Sequence, residues 1–186
     1  MAGNDNFDFK AGDNVVYAVH GVGVVEGVET QTIAGMEISL YVVGFEKDRM
    51  RLKIPVGKAE ISGLRKLSSN ERLGDALQTL KGRSRVRRTM WSRRAQEYAT
   101  KINSGDPVSI AEVLRDLKRS NDDNDQSYSE RQIYQSALER LAREVAAIDD
   151  ITEVKATEKL EDIMMSTIKS AAVSNDDNSD KSQEAA

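Results

Sequence analysis

From Asn14 onward the apolar positions of the chain follow two different periods in succession. NVVYAVHGVGVVEGVET gathers β-branched residues around HGVG, whose glycines, Gly21 and Gly23, suit a tight turn between two strands. MEISLYVVGF alternates, with Met36, Ile38 and Leu40 on one side. MRLKIPV alternates cleanly: Met50, Leu52 and Ile54 face one way, Arg51 and Lys53 the other. Pro55 has no N–H to give to a ladder and belongs on a sheet edge or at a strand end. Short strands with glycine-rich turns over residues 7–67 predict a small, strongly bent antiparallel barrel.

After residue 67 the period becomes helical. SSNE, from Ser68 to Glu71, reads as a capping box before ERLGDALQTLKG. A second helix is expected over Met90 to Asn103. Asp106 can cap a third, with Pro107 at its first position. In that helix Ile110, Val113, Leu114 and Leu117 share one face. Ser129 and Gln132 offer another box, before a helix that turns Ile133, Ala137, Leu138, Leu141 and Val145 inward. Asp150 with Glu153 opens a last helix ending near Ala171. The predicted class is α+β with two domains, a β module over 7–67 and a compact all-α module of about five helices over 68–171. Residues 1–6 and the Asn/Asp/Ser-rich tail 172–186 are expected to be disordered.

Composition narrows the chemistry. Cysteine is absent, which excludes disulfides and thiolate metal sites, and His20 is the one histidine. A metal site would rest almost wholly on carboxylates, and no cofactor is expected. His20 has no visible acid–base partner and reads as a turn or packing residue. GVG at 21–23 lacks the helix and acid of a dinucleotide fold. Asp122, Asp123 and Asp125 lack the glycine and terminal glutamate of a calcium loop and read as a solvated loop. No catalytic constellation emerges, so an enzyme is the least favoured class. No apolar run spans a bilayer and the N-terminus does not resemble a signal peptide, so a cytoplasmic protein without a membrane partner is expected.

Charge changes the picture most. The net charge is -4, yet Arg49 to Arg94 holds 14 basic and 3 acidic residues, against 13 and 28 in the remainder. Local density sets the field that a phosphate backbone meets, because the Debye length is only ~8 Å at physiological ionic strength. The densest stretch, KGRSRVRRTMWSRR from Lys81 to Arg94, is half Lys and Arg and contains the only tryptophan, Trp91. Arginines such as Arg85, Arg87, Arg88, Arg93 and Arg94 can neutralise phosphates, while an indole can stack on a base or wedge into a step. The competing reading makes Trp91 a core residue and the arginines a solvated face. Against it, Trp91 stands at a helix start, no acid dilutes the basic run, and RSRVRRT has a poor apolar period. A polymerase-independent nucleoid or RNA-binding protein, or a protein–protein adaptor anchored by Trp91, is compatible with the same segment.

FKAGDNVVYAVHGVGVV, ETQTIAG followed by YVV, MRLKIPV, TMWSRR and IAEVLRDL occur here in one order, and in this the chain resembles the CarD/CdnL family of bacterial transcription regulators from about Phe9 to about Ile168. The resemblance implies that the N-terminal module is Tudor-like and docks on the β subunit of RNA polymerase. It implies that the helical module touches promoter DNA at the upstream edge of the transcription bubble, largely without sequence preference. Trp91 matches the family's minor-groove tryptophan, with Arg93 and Arg94 as the basic pair after it. Lys53 and Pro55, beside Arg51 and with Val42 on a neighbouring strand, match the polymerase-facing part. Gln31 stands where some relatives have a docking arginine, which removes a salt bridge, and Gln96 is uncharged where relatives carry a basic or polar residue. A monomer that stabilises the open promoter complex is expected.

Overall fold

A computed structural model describes residues 8–85, 89–118 and 127–176, with side chains of the last helix described to 166. Expectations for residues 1–6, Arg87, Arg88, the Asp122–Asp125 cluster and the tail from 177 lie outside the described residues. Among the described residues the chain forms five strands and then five α-helices. The strands are β1 (Asn14–Tyr17), β2 (Gly21–Ile33), β3 (Met36–Phe45), β4 (Met50–Pro55) and β5 (Leu64–Lys66). They pair antiparallel in the order β4-β3-β2-β1-β5. β4 therefore lies at one edge, and Pro55 closes it where no further donor is required. A bulge between Val25 and Gly27 shifts the register of β2 against β3 and bends the sheet. Its buried side carries Val15, Val25, Tyr41, Val43, Phe45, Ile54 and Leu64, closed by Phe9, whose ring meets Tyr41 edge-on at 5.3 Å.

Gly21 behaves as expected, with φ +81 at the end of the β1–β2 turn. Gly23 does not. It lies within β2 opposite Val15, and an added Cβ would stand 2.7 Å from the Phe45 ring. Close packing under an aromatic, not turn geometry, requires glycine there. His20 packs as anticipated, stacking on Tyr17 at 5.7 Å with Phe45 at 5.5 Å, but it also has the acid partner the sequence did not reveal, the Asp48 carboxylate 3.4 Å from Nδ1.

The helices are α1 (Asn70–Leu80), α2 (Trp91–Asn103), α3 (Pro107–Leu117), α4 (Tyr128–Asp149) and α5 (Glu153–Asp176). Asp106 caps α3 through the Ser109 N–H, with Pro107 at the first position. Burial alone would raise the Asp106 carboxyl, but hydrogen bonds from Ser109 and Arg72 hold it below the ordinary range. All the residues expected on the α3 and α4 core faces are buried except Ile133, which packs at the margin. Three helix starts differ from expectation. Ser69, not Ser68, caps α1, because Ser68 is drawn into a contact with α4. The α4 box is Ser127 with Glu130, two residues before Ser129 and Gln132, because the extended backbone ends at Ser127. Asp150 ends α4 in the left-handed conformation, and Thr152 Oγ1 accepts the Lys155 N–H at the start of α5. The helical backbone of α5 also runs past Ala171 to Asp176.

The two modules are joined by a polar clamp. Arg65 of β5 makes paired hydrogen bonds to Glu144 of α4 at 2.8 and 2.9 Å. Glu144 is 2% exposed and also accepts the Ser68 N–H at 3.0 Å. Arg140 donates to the carbonyls of Ala18 and Val19 in the β1–β2 turn. That turn fits against Gly63 and Gly105, where an added Cβ would meet Ala18 atoms at 3.0 and 3.1 Å. Lys47 pairs with Glu139 nearby. Glu144→Ala removes the buried acceptor of three donors, and stability measured by urea unfolding is expected to fall by about 3 kcal/mol.

Candidate functional site

The basic segment of the sequence meets the fold at the start of α2. Trp91 is the first residue of that helix, and Met90 before it provides no side-chain cap. An uncapped helix start leaves N–H groups and a positive dipole end beside the arginines, both favourable to phosphate. Trp91 is half-buried at the margin of the helical core. Its ring lies 6.4 Å from that of Tyr98, tilted by 55°. The guanidinium carbon of Arg94 stands 5.3 Å from the indole centroid. Residues 91, 94 and 98 recur at three and four, so they share one helix face.

This arrangement separates the two arginines after the tryptophan. Arg93 projects outward, with a side chain 77% exposed and only a loose 3.8 Å pair with Glu97. Arg94 folds over the indole and is half-buried, its Nε shielded from solvent without a hydrogen-bond acceptor. Burial pushes the Tyr98 phenol up, as does the Asp116 carboxylate, while Arg94 opposes both. Trp91 is thus both anchored and accessible, and the choice between a core residue and a contact residue is not exclusive. Arg85 is exposed on the strand of chain after α1. Its backbone N–H is bonded to Asp116 at 3.0 Å.

The second group of candidates lies on the β module. Arg51 and Lys53 project from the outer strand β4, as the alternation predicted. Each is met by an acid of β2: Arg51 Nε by Glu26 at 2.9 Å and Lys53 Nζ by Glu29 at 2.6 Å. These pairs reach across β3. Gly44 allows the first, since a Cβ there would stand 2.6 Å from Glu26 Oε1. Val42, opposite Lys53 and Gly27 in the register, is 6% exposed. Gln31 pairs with Ile38 toward the hairpin end, where Met36 and Ile33 are exposed. Surface pairs of this kind contribute little to stability, so a partner can exchange them at small cost.

Among the described residues no group of His, Asp and Glu is arranged to hold a metal ion, and no helix is long and apolar enough to cross a membrane. Sequence reasoning missed the roles of Tyr98 and Asp116. Tyr98 was readable from its spacing to Trp91. Asp116 was not, because its partner Arg85 is 31 positions away.

Comparison with known proteins agrees with this division into two modules. Residues 9–68 match the family model described as the CarD-like/TRCF RID domain, and residues 75–161 match CarD, C-terminal domain. The Bacillus subtilis (strain 168) protein named "Putative transcription factor YdeB" is 30% identical over 145 residues, which are 78% of this chain and 95% of that one. The solved structure of CdnLNt from Myxoccoccus xanthus is 40% identical, covering 37% of this chain and 97% of its own, with a TM-score of 0.30. A β module of the RNA polymerase-interacting kind followed by a CarD-type helical domain defines a bacterial transcription regulator. The chain belongs to the CarD/CdnL family.

Trp91 is the chain's only tryptophan, so its emission reports this site alone. Arg94→Ala removes the cation from the ring face, a contact worth about 0.5–1 kcal/mol. The emission maximum is expected to move to longer wavelength, and acrylamide quenching to increase, with little change in helix content by circular dichroism.

Proposed function

We propose that this protein docks on the β subunit of RNA polymerase through its β module and stabilises the open promoter complex through Trp91 and the surrounding arginines. The observation that carries the reading is the state of Trp91: one flank is held by Arg94 and Tyr98, yet the residue is only partly buried at the start of a helix fed by a basic segment. A flexible indole would lose ordering entropy on insertion into DNA; a pre-held one loses less. The outward Arg93 and the exposed Arg85 are suited to backbone phosphates, which carry no sequence information. Promoter choice then belongs to the polymerase, and the protein acts as a monomer on whichever bubble is formed.

The action is thermodynamic. Contact that is better in the open than in the closed complex shifts the balance toward open. Base–aromatic stacking contributes ~1–3 kcal/mol, or roughly 5- to 150-fold in that equilibrium. The outer strand β4 supports the docking half of the reading. An edge strand can extend a partner's sheet through its main chain, while Arg51, Lys53 and Pro55 select the partner. Docking turns the weak DNA contact into an intramolecular one, so a modest basic segment suffices.

The test is the lifetime of the open complex on one promoter with purified bacterial polymerase. Wild type is expected to lengthen it, and Trp91→Ala to lose most of that extension while binding polymerase normally. Equal loss of both activities, with a lowered melting temperature, would reduce Trp91 to a folding residue. Lys53→Glu leaves the DNA-contacting face intact and places an acid beside Glu29. It is expected to weaken polymerase capture at least about tenfold, and normal capture by that variant would move the docking surface elsewhere.

A further inference from the structure

We infer that Asp116 is a positioning residue that holds the DNA-contacting segment against the helical module, an inference that rests on the DNA-binding reading of Trp91 and deepens it. Asp116 lies one residue before the end of α3, and its side chain is 8% exposed. Two effects oppose a carboxylate there. Burial removes its hydration, and the helix C-terminus presents partial negative charge. The neighbouring Arg115 offsets both, with Nε at 2.9 Å and a second guanidinium nitrogen at 2.8 Å from Asp116 Oδ1. An apolar pair of similar size would meet neither penalty, so the ion pair alone gives no reason for the carboxylate.

Its remaining contacts supply one. The same Oδ1 accepts the backbone N–H of Arg85 at 3.0 Å, and the Asp116 main-chain carbonyl accepts Ser84 Oγ at 3.3 Å. The chain after α1 is thereby fastened to α3 at Ser84 and Arg85, shortly before Trp91 in sequence. Asp116 also borders the two residues that hold the tryptophan. It shares a groove with Arg85, Arg94 and Tyr98, and its charge is felt at the Tyr98 phenol. One buried carboxylate therefore ties the basic segment to α3 beside Arg94 and Tyr98, the residues against which Trp91 is held. Fixing the segment before DNA arrives removes an ordering cost from binding. The fastening uses an amide, so it is separable from any phosphate contact made by the Arg85 side chain.

The test combines amide hydrogen exchange with the open-complex lifetime, using the full chain and purified bacterial polymerase. In Asp116→Ala the Arg85 amide is expected to exchange at least roughly tenfold faster, as befits loss of one charge-assisted hydrogen bond. Leu114 in the α3 core keeps its protection, polymerase affinity is unchanged, and the lifetime extension falls roughly three- to tenfold. Asp116→Asn keeps an acceptor oxygen and the side-chain volume, and is expected to restore most of both losses. If Leu114 also loses protection in the alanine variant, Asp116→Asn against wild type decides. Its weaker acceptor speeds Arg85 exchange, and the lifetime extension drops in step. Faster Arg85 exchange with a wild-type lifetime, in either variant that keeps Leu114 protected, overturns the inference, as does unchanged Arg85 exchange. Trp91→Ala runs alongside: a lifetime loss there with none in Asp116→Ala rejects Asp116 alone, and no loss in Trp91→Ala rejects the DNA reading beneath it.

Discussion

The ion pair between Arg65 and the buried Glu144 is the contact on which the geometry of this protein turns. Two modules keep a set separation and orientation only if contacts between them constrain both. β5 and α4 belong to different modules, and the guanidinium of one forms two parallel hydrogen bonds to the carboxylate of the other. Parallel bonds constrain direction as well as distance. Burial makes the carboxylate intolerant of losing its partner, so the arrangement is held by the cost of its alternatives more than by its own net strength. Arg140, gripping two carbonyls of the β1–β2 turn, adds a second point, and two points fix an orientation that one cannot.

Around that joint the chain divides its labour by charge. Acids of β2 stand against the cations of β4, leaving the sheet face balanced. The start of α2 is treated differently. Among the described residues, the carboxylate closely engaged there, Asp116, is bonded to Arg115 and a backbone amide and so does not cancel the exposed charge. The result is a local positive field on a chain that is acidic as a whole. A field of that kind acts at the short range set by screening.

Trp91 shows how structure dissolves an opposition drawn from sequence. A tryptophan in a core and a tryptophan in a contact are alternatives only if a ring has one side. Here one flank is given to Tyr98 and Arg94, and the residue packs at the core margin without being fully buried. The arrangement also reassigns Arg94. Spacing alone made it the twin of Arg93, but its guanidinium lies over the indole, so it orients the ring while Arg93 faces solvent.

What the sequence by itself determined is what depends on neighbours a few positions apart. The alternation in MRLKIPV, the Asp106–Pro107 helix start, the apolar stripe of α3 and the concentration of charge before Trp91 were all legible, because period, capping and local charge are near-range properties. The two-module division was legible for the same reason, as a change of period after residue 67. Tertiary structure decided whatever required two distant segments to meet. Ser68 and Ser69 are equivalent as caps until Glu144, 76 positions beyond Ser68, takes the N–H of the first. Gly23 reads as a turn residue until the Phe45 ring lies over it. Asp116 reads as one more surface acid on a helix until the fold buries it under Arg85. Such contacts leave no periodic trace in the chain, since their spacing is set by how the modules pack and not by the repeat of a helix or a strand.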